Sequence, residues 1–312
     1  MPSRYAARPS IVVCLLLLTL AAPSSCFGWG PDGHRIINRL AAESLPADLP
    51  AFLRTKAAID EIEYLGPEPD RWRGHAEPEL NAAQSPEHFI DLELADMVAP
   101  LPRRRYDFVA ALYAAALAHP DQASELRPEK VGLQPYVTTE VFERLQAGMR
   151  EYRELAARGK DTRPAEAAVI YYAGWLGHYV GDGAQPLHTT VNYNGWVEKQ
   201  NPNGYITTPG IHSQFESAFV KKNIRLKDVA PFVSPLHVLN DPFEDYLSYL
   251  RQSHALVEQT YQLEATRGFA GKGNEASRRF TEERLAAAAS ELRDMIATAW
   301  RQSASDPPSP TN

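Results

Sequence analysis

Cysteine is nearly missing from this chain of 312 residues, and the two present, Cys14 and Cys26, lie within its first 28 positions. If that stretch is removed, what remains can form no disulfide. An exported protein of this kind must be held by its core, by metal, or by both. Long apolar runs are equally scarce. Ile11 to Ala22, with Leu15-Leu16-Leu17-Leu18, is the one extended run, and it is short for a membrane span. Arg4 and Arg8 precede it, and Pro23-Ser24-Ser25-Cys26-Phe27-Gly28 follows. This is the three-part layout of a secretory signal. The sequence therefore predicts a signal peptide over 1–28 and a secreted or periplasmic protein, with no transmembrane segment in the mature chain. A lipid on Cys26, or cleavage after Ala22, are the alternatives. Excess positive charge is also lacking. The formal net charge of −7 becomes −9 without Arg4 and Arg8. Such a chain is a poor holder of duplex DNA by general phosphate attraction. It can still carry a site where metal ions supply positive charge locally.

Strand-like alternation and internal repeats are absent as well. Helical spacing of apolar residues runs through Ile36 to Leu45, Thr138 to Ala157, Ala165 to Asp182, Phe243 to Leu263 and Glu275 to Trp300. Tyr106 to Ala118 is alanine-rich and reads as amphipathic. Pro164 is well placed to open a helix. The predicted fold is all-α: a single compact multi-helix domain over 29–302, followed by a disordered tail, 303–312, with three prolines. Two long stretches, Gly66 to Pro86 and Asn192 to Gly210, read as loops. Loops of that length in a compact domain usually serve function.

What is present is a dense set of histidines and carboxylates. The central stretch is Gly177-His178-Tyr179-Val180-Gly181-Asp182-Gly183-Ala184-Gln185-Pro186-Leu187-His188. His178 and Asp182 are four apart, so a helix puts them on one face. Pro186 interrupts the helix, and His188 follows on the turned chain. Buried His and Asp must be paired, hydrogen-bonded or metal-bound. A plain His–Asp pair in a core helix is the simpler alternative. Trp29-Gly30-Pro31-Asp32-Gly33-His34 opens the mature chain, where a free α-amine and carbonyl on Trp29 can join His34 on a metal. The alternative there is a packing tryptophan. Asp70-Arg71-Trp72-Arg73 offers a carboxylate for a metal and arginine for phosphate, or a solvated charge cluster. His88-Phe89-Ile90-Asp91 offers a third histidine in an apolar setting. His212 and Glu216 are again four apart and can share a metal or simply pair. His75, His119, His237 and His254 lack such surroundings and read as surface or structural residues. Nitrogen and carboxylate ligands without thiolates suit zinc.

Together these motifs resemble the zinc-dependent phospholipase C and single-strand-specific (type I) nuclease superfamily, an all-helical group with three zinc ions. The resemblance covers Trp29 to Glu216 through motifs and the later helices through layout. Its most specific parts are His178-x-x-x-Asp182-x-x-x-x-x-His188 and a ligand tryptophan at a mature N-terminus. The resemblance implies that Asp70, His88, His178 and Asp182 hold one zinc, with Asp60 the fallback for Asp70. It implies that His188, His212 and Glu216 hold a second, and Trp29, His34 and a shared Asp182 a third. Asp70-x-x-Arg73 is similar to the nucleases' catalytic aspartate and phosphate-stabilising arginine. His88-Phe89-x-Asp91 is similar to their ligand histidine followed by base-stacking and base-bonding residues. Core packing for Phe89 and a carboxylate orienting His88 for Asp91 are the alternatives. Glu216 departs towards the phospholipases, since the nucleases generally have aspartate there. The nucleases also often carry disulfides, and the His88 to His178 interval is longer here than in either branch.

The activity implied is an endonuclease that cleaves single-stranded DNA or RNA with a zinc-activated hydroxide and no nucleophilic side chain. A phospholipase C acting on phospholipid head groups is the alternative, and a non-catalytic helical protein stabilised by metal is a third reading. Tyr193, Trp196 and Tyr205 in the second loop suit either a membrane-facing rim or a base platform. No stable protein partner is implied.

Overall fold

The computed structural model describes residues 29–74 and 76–304, so the predicted leader, both cysteines, His75 and the prolines of the tail lie outside the described residues. Among the described residues, eight helices of eight residues or more carry the fold: α1 Gly30–Glu43, α2 Lys56–Leu65, α3 Arg105–Ala118, α4 Gln134–Ala157, α5 Arg163–Ala184, α6 Pro242–His254, α7 Val257–Ala265 and α8 Glu275–Gln302. Among the described residues, strand pairing is limited to isolated bridges, Ile90 with Gly132 and Tyr193 with Gly195. The protein is all-α, as its spacing predicts. No described helix is long and apolar enough to cross a membrane.

Helix α5 is the axis, packed by α1, α2, α4, α6 and α8. Every residue from Leu176 to Ala184 is buried, so this segment is enclosed on all sides rather than amphipathic. Its glycines explain how neighbours come so close. A Cβ on Gly177 would sit 2.0 Å from Asn38 Oδ1 of α1, and one on Gly181 would sit 2.9 Å from His34 Nδ1. Asn38 in turn donates to Ile62 O of α2 and Gly174 O of α5, tying three helices at one side chain. Helix α8 starts at a capping box formed by Asn274 and Ser277. Its small buried face, Ala286, Ala288 and Ala289, fits against the rest of the core.

Several boundaries differ from expectation. The stretch from Phe243 to Leu263 is two helices, broken at Ala255 and Leu256. A tight turn, Leu256 N–H to Ser253 O, closes the break. No glycine or proline marks it. The first long loop is largely ordered into the short helices Glu68–Arg71 and Pro78–Gln84 and the 3₁₀ turn Ser85–His88. Prolines at the first turn of each explain the starts. Helix α3 buries only Phe108 and Leu112, and its outer face is apolar rather than polar, with Tyr106 and Leu117 more than four-fifths exposed. At the far end, Ser303 is buried and accepts from Arg153 Nε at 2.9 Å, so the chain is anchored at that residue.

Candidate metal centre

Helix α5 ends at Ala184, with Gln185 as its cap and Pro186–His188 as a 3₁₀ turn. Helix ends leave carbonyls without partners. Here side chains supply donors: Trp29 Nε1 to Gly181 O at 2.7 Å, Tyr249 hydroxyl to Val180 O, and both Tyr246 hydroxyl and Gln134 Nε2 to Tyr179 O. Tyr179, Val180 and Gly181 lie between His178 and Asp182, so the ligand-bearing backbone is held by four side chains from three elements. Asp182 lies in the last turn, where the helix dipole disfavours an acid, and it is wholly buried. It needs cations or hydrogen-bond donors around it.

Histidines surround it. Asp182 Oδ2 is 3.0 Å from His88 Nδ1 and 3.3 Å from His178 Nε2, while Oδ1 is 3.4 Å from His34 Nε2. Asp70 Oδ1 lies 3.9 Å from both His88 Nδ1 and His178 Nε2. A few ångströms away, His188 Nε2 and His212 Nε2 are 3.0 Å apart, with Glu216 Oε2 at 3.5 and 2.7 Å from them. Three groups result: Asp70, His88 and His178; His34, His178 and Asp182; and His188, His212 and Glu216. Within each, one ligand atom per residue lies within 4.8 Å of the others, and every member is buried. These three groups can hold metal ions.

The hydrogen-bond account supports that use. Buried polar atoms normally find partners. Among those without one here are both ring nitrogens of His34, both carboxylate oxygens of Asp70, His88 Nε2, Asp182 Oδ1 and Glu216 Oε1. Ligands on a tetrahedral ion with bonds of about 2.0–2.1 Å stand about 3.3 Å apart. The spacings inside the groups bracket that value. The other face of several histidines is fixed by backbone carbonyls: His178 Nδ1 on Gly66 O, His188 Nδ1 on His88 O, and His212 Nδ1 on Tyr193 O. That pattern sets the tautomer and aims the second nitrogen inwards.

Electrostatics differ between the histidines: burial alone would lower His178, but Asp182 and Asp70 raise it. Burial lowers His88 and His212 to about 4, so each ring is neutral at neutral pH and keeps one nitrogen with a free lone pair. Burial and the neighbouring His178 lower His34. Burial alone would raise the Asp182 carboxyl, but His178 and His188 hold it well below the usual carboxylate range. Glu216 is pushed up by burial.

The structure brings together eight of the nine residues that the sequence nominates as ligands in these groups. Trp29 stands beside them differently. Its ring is fully buried, edge-on to Phe215 at 5.1 Å, and its indole bonds Gly181 O next to Asp182. Asp70 is in the centre, whereas Asp60 is half-exposed and paired with Lys56 and Arg39. His212 and Glu216 span a short α turn, Ile211–Ser213, that passes into a π-helical segment, Gln214–Phe219, which the i, i+4 spacing alone does not disclose. Gln185 has no signal in the sequence either. Its Nε2 donates to Glu216 Oε2 at 3.2 Å and its Oε1 accepts from Leu187 N–H at 2.6 Å. His254, set aside as structural, reaches Thr189 O beside His188.

A cleft of about 360 Å³ opens onto the centre, lined by Arg73, Phe89, Asp91, His188, Tyr193 and His212 among others. Arg73 Nε and Nη1 are buried without hydrogen-bond partners, and Nη1 lies 3.6 Å from Asp70. Phe89 is half-buried against the cleft rather than sunk in the core. Asp91 shares no hydrogen bond with His88 among the described residues, so it does not orient that ring. Its carboxyl is pushed up to about 8 by burial and by Glu93 and Glu125. Of the three loop aromatics, only Tyr193 faces the cleft. Trp196 and Tyr205 are buried against Tyr261, because the loop folds its own small core. No protein-family model matches the chain, and no curated protein matches it.

Proposed function

We propose that this chain is an exported zinc-dependent phosphodiester hydrolase that cleaves single-stranded nucleic acid. The observation that carries the reading is the convergence of three buried His and carboxylate groups, with orphaned polar atoms, behind a cleft that His88, His188 and His212 line together with an arginine whose Nε and Nη1 have no hydrogen-bond partner. The motif resemblance to the phospholipase C and type I nuclease superfamily supports it. The all-nitrogen-and-oxygen donor set suits zinc, and Asp182, a member of one group whose second oxygen lies within 3.3 Å of His88 and His178 of another, suits a cluster of three ions. Zinc bound there would lower the pKa of a water and neutralise oxygen charge.

The chain's own residues supply the rest. Burial keeps His88 and His212 neutral, and backbone acceptors orient His178, His188 and His212 for ligation. Arg73, with no partner for Nε and Nη1, is free to fork onto phosphate oxygens where charge builds. Phe89 offers a ring face at the cleft and Asp91 a carboxyl that can bond a base edge. A base must be unstacked to use them, which favours single strands. The open cleft at His188 and His212 argues against a purely structural metal role.

A second reading, phospholipid head-group hydrolysis, is favoured by Glu216 and by Val197, which is two-thirds exposed at the cleft. The burial of Trp196 and Tyr205 argues against a broad membrane-facing rim. The deciding experiment is a paired assay of the mature protein on single-stranded DNA or RNA and on phosphatidylcholine, with and without a zinc chelator. Chelator-sensitive cleavage of the nucleic acid alone is the expected result. Cleavage of the lipid alone would transfer the site to the second reading, and cleavage of neither by zinc-loaded protein would remove both.

A further inference from the structure

The stripe of α5 that carries His178 and Asp182 does not stop at the metal centre. Tyr171, Trp175, His178 and Asp182 follow the i, i+4, i+7, i+11 spacing of one helical face. Towards the start of the helix this face emerges at the surface, with Trp175 half-buried and Tyr171 38% exposed. Trp72 packs edge-on against Trp175 at 5.4 Å and 77°, and Tyr171 lies 6.0 Å from it. Trp72 is the residue next to Arg73, which lines the cleft. The aromatic cluster is thus continuous in the chain with the cleft wall and continuous along α5 with the ligands.

Arginines cap the cluster. Arg144 of α4 lies over the Trp175 ring at 5.5 Å and makes no ion pair among the described residues. Arg71 lies over Tyr64 at 4.6 Å, and Tyr64 is 52% exposed. Arg71 is paired with Glu68, so Arg144 is the stronger free charge. Beyond Trp175 a shallow groove of about 420 Å³ between α4 and α5 is lined by Arg144 and Tyr172. An ordinary packing cluster is closed over by aliphatic side chains. Here Tyr171 and the Arg144 guanidinium reach the surface, with Trp72 and Trp175 half-buried beside them. Stacking faces beside backbone-tracking cations are what a single strand requires, and they tolerate any base.

We propose that Trp72, Tyr171 and Trp175, with Arg144, form a track that binds the part of a single-stranded polynucleotide lying outside the cleft. The proposal rests on the nuclease reading of the centre and narrows its substrate to strands several nucleotides long. Tyr171 and Asp182 stand about 16 Å apart along α5, at 1.5 Å per residue; because Leu176 to Ala184 is buried, the strand would pass over the surface by Arg73 and Trp72, and the span takes at least roughly five stacked nucleotides at about 3.4 Å each. A dinucleotide bound at the metal centre cannot reach Tyr171.

The test compares kcat/KM for a dinucleotide and for an oligothymidylate of about twenty nucleotides, in the zinc-loaded wild type and in Tyr171→Ala, Tyr171→Phe and Arg144→Ala. Binding of the fluorescein-labelled oligonucleotide is followed by anisotropy across a salt series. The wild type should prefer the longer strand by about tenfold or more. Tyr171→Ala should cut that preference by about fivefold or more, and Tyr171→Phe should restore it, since the ring face is what stacks. Arg144→Ala should make the log–log salt slope of binding shallower by about 0.7, the loss of one phosphate contact on a single strand. Equal kcat/KM for both lengths in the wild type, or a length preference untouched by Tyr171→Ala and Arg144→Ala, would overturn the track while leaving the nuclease reading in place. Failure to cleave either length would overturn the nuclease reading and the track with it.

Discussion

Asp182 faces His34 with one carboxylate oxygen, 3.4 Å from Nε2, and turns the other towards His88 and His178. Asp182 thereby belongs to the His34 group and also lies against His88 and His178 of the Asp70 group, while the group of His188, His212 and Glu216 does not use it.

Asp182→Asn should therefore remove two ions and spare one. Zinc content, measured on the folded variant by plasma mass spectrometry, should fall from about three equivalents to about one. Activity should fall by more than about a hundredfold. Retention of all three ions would mean that Asp182 is not the bridge between the groups.

Gln185 touches Glu216, not a substrate, and acts by positioning it. Gln185→Ala should weaken zinc at the group of His188, His212 and Glu216 about tenfold to a hundredfold, read by chelator competition. The other two groups should keep their affinity. An unchanged competition curve would reduce the contact to simple packing.

Phe89 presents its ring at the cleft beside the centre. Phe89→Ala should raise KM for single-stranded DNA about tenfold, with kcat little altered, because stacking contributes about 1–3 kcal/mol per base to ground and transition state alike. Phe89→Tyr should keep the wild-type KM. The same KM in the alanine variant would return the ring to a packing role.

Glu291 of α8 is far from this chemistry in role but informative about stability. Its carboxyl is pushed up from 4.5 to about 8 by burial, with Asp294 and Asp245 adding repulsion, and Oε1 has no hydrogen-bond partner. A raised folded-state pKa contributes stability that is whole below the unfolded value and is lost as pH rises through the folded one. That loss spans about pH 4.5 to 8. Glu291→Gln cannot ionise, so its Tm should exceed that of the wild type by about 2–6 °C at pH 9, with the gap closing towards pH 4.5. Paired thermal melts across this window check the sign. A gap of constant size would show that ionisation is not its cause.

Much of the site was legible because the chemistry is local in sequence. His178 with Asp182 and His212 with Glu216 announce themselves by spacing, and His188 by its place after Pro186. Asp70 needed the structure: only folding of the Gly66 to Pro86 stretch into short helices distinguishes it from Asp60. The fold class followed from apolar periodicity, yet the break at Ala255 and Leu256 carries no helix-breaking residue and could not be read. Trp196 and Tyr205 misled for a related reason. Exposed and buried aromatics look alike in sequence until the residue that covers them, Tyr261, is brought from elsewhere in the chain.

The four side-chain donors that clamp the end of α5 have a consequence for motion. Trp29, Gln134, Tyr246 and Tyr249 come from two helices, α4 and α6, and the residue that caps α1. For this turn to open, all of those elements must release it, so its amide protons exchange only when the whole core does. Any breathing that admits a substrate or lets a product leave falls to the walls facing it: the segment from Phe89 to Leu94, the turn around Lys130, and the loop at Tyr193 and Val197.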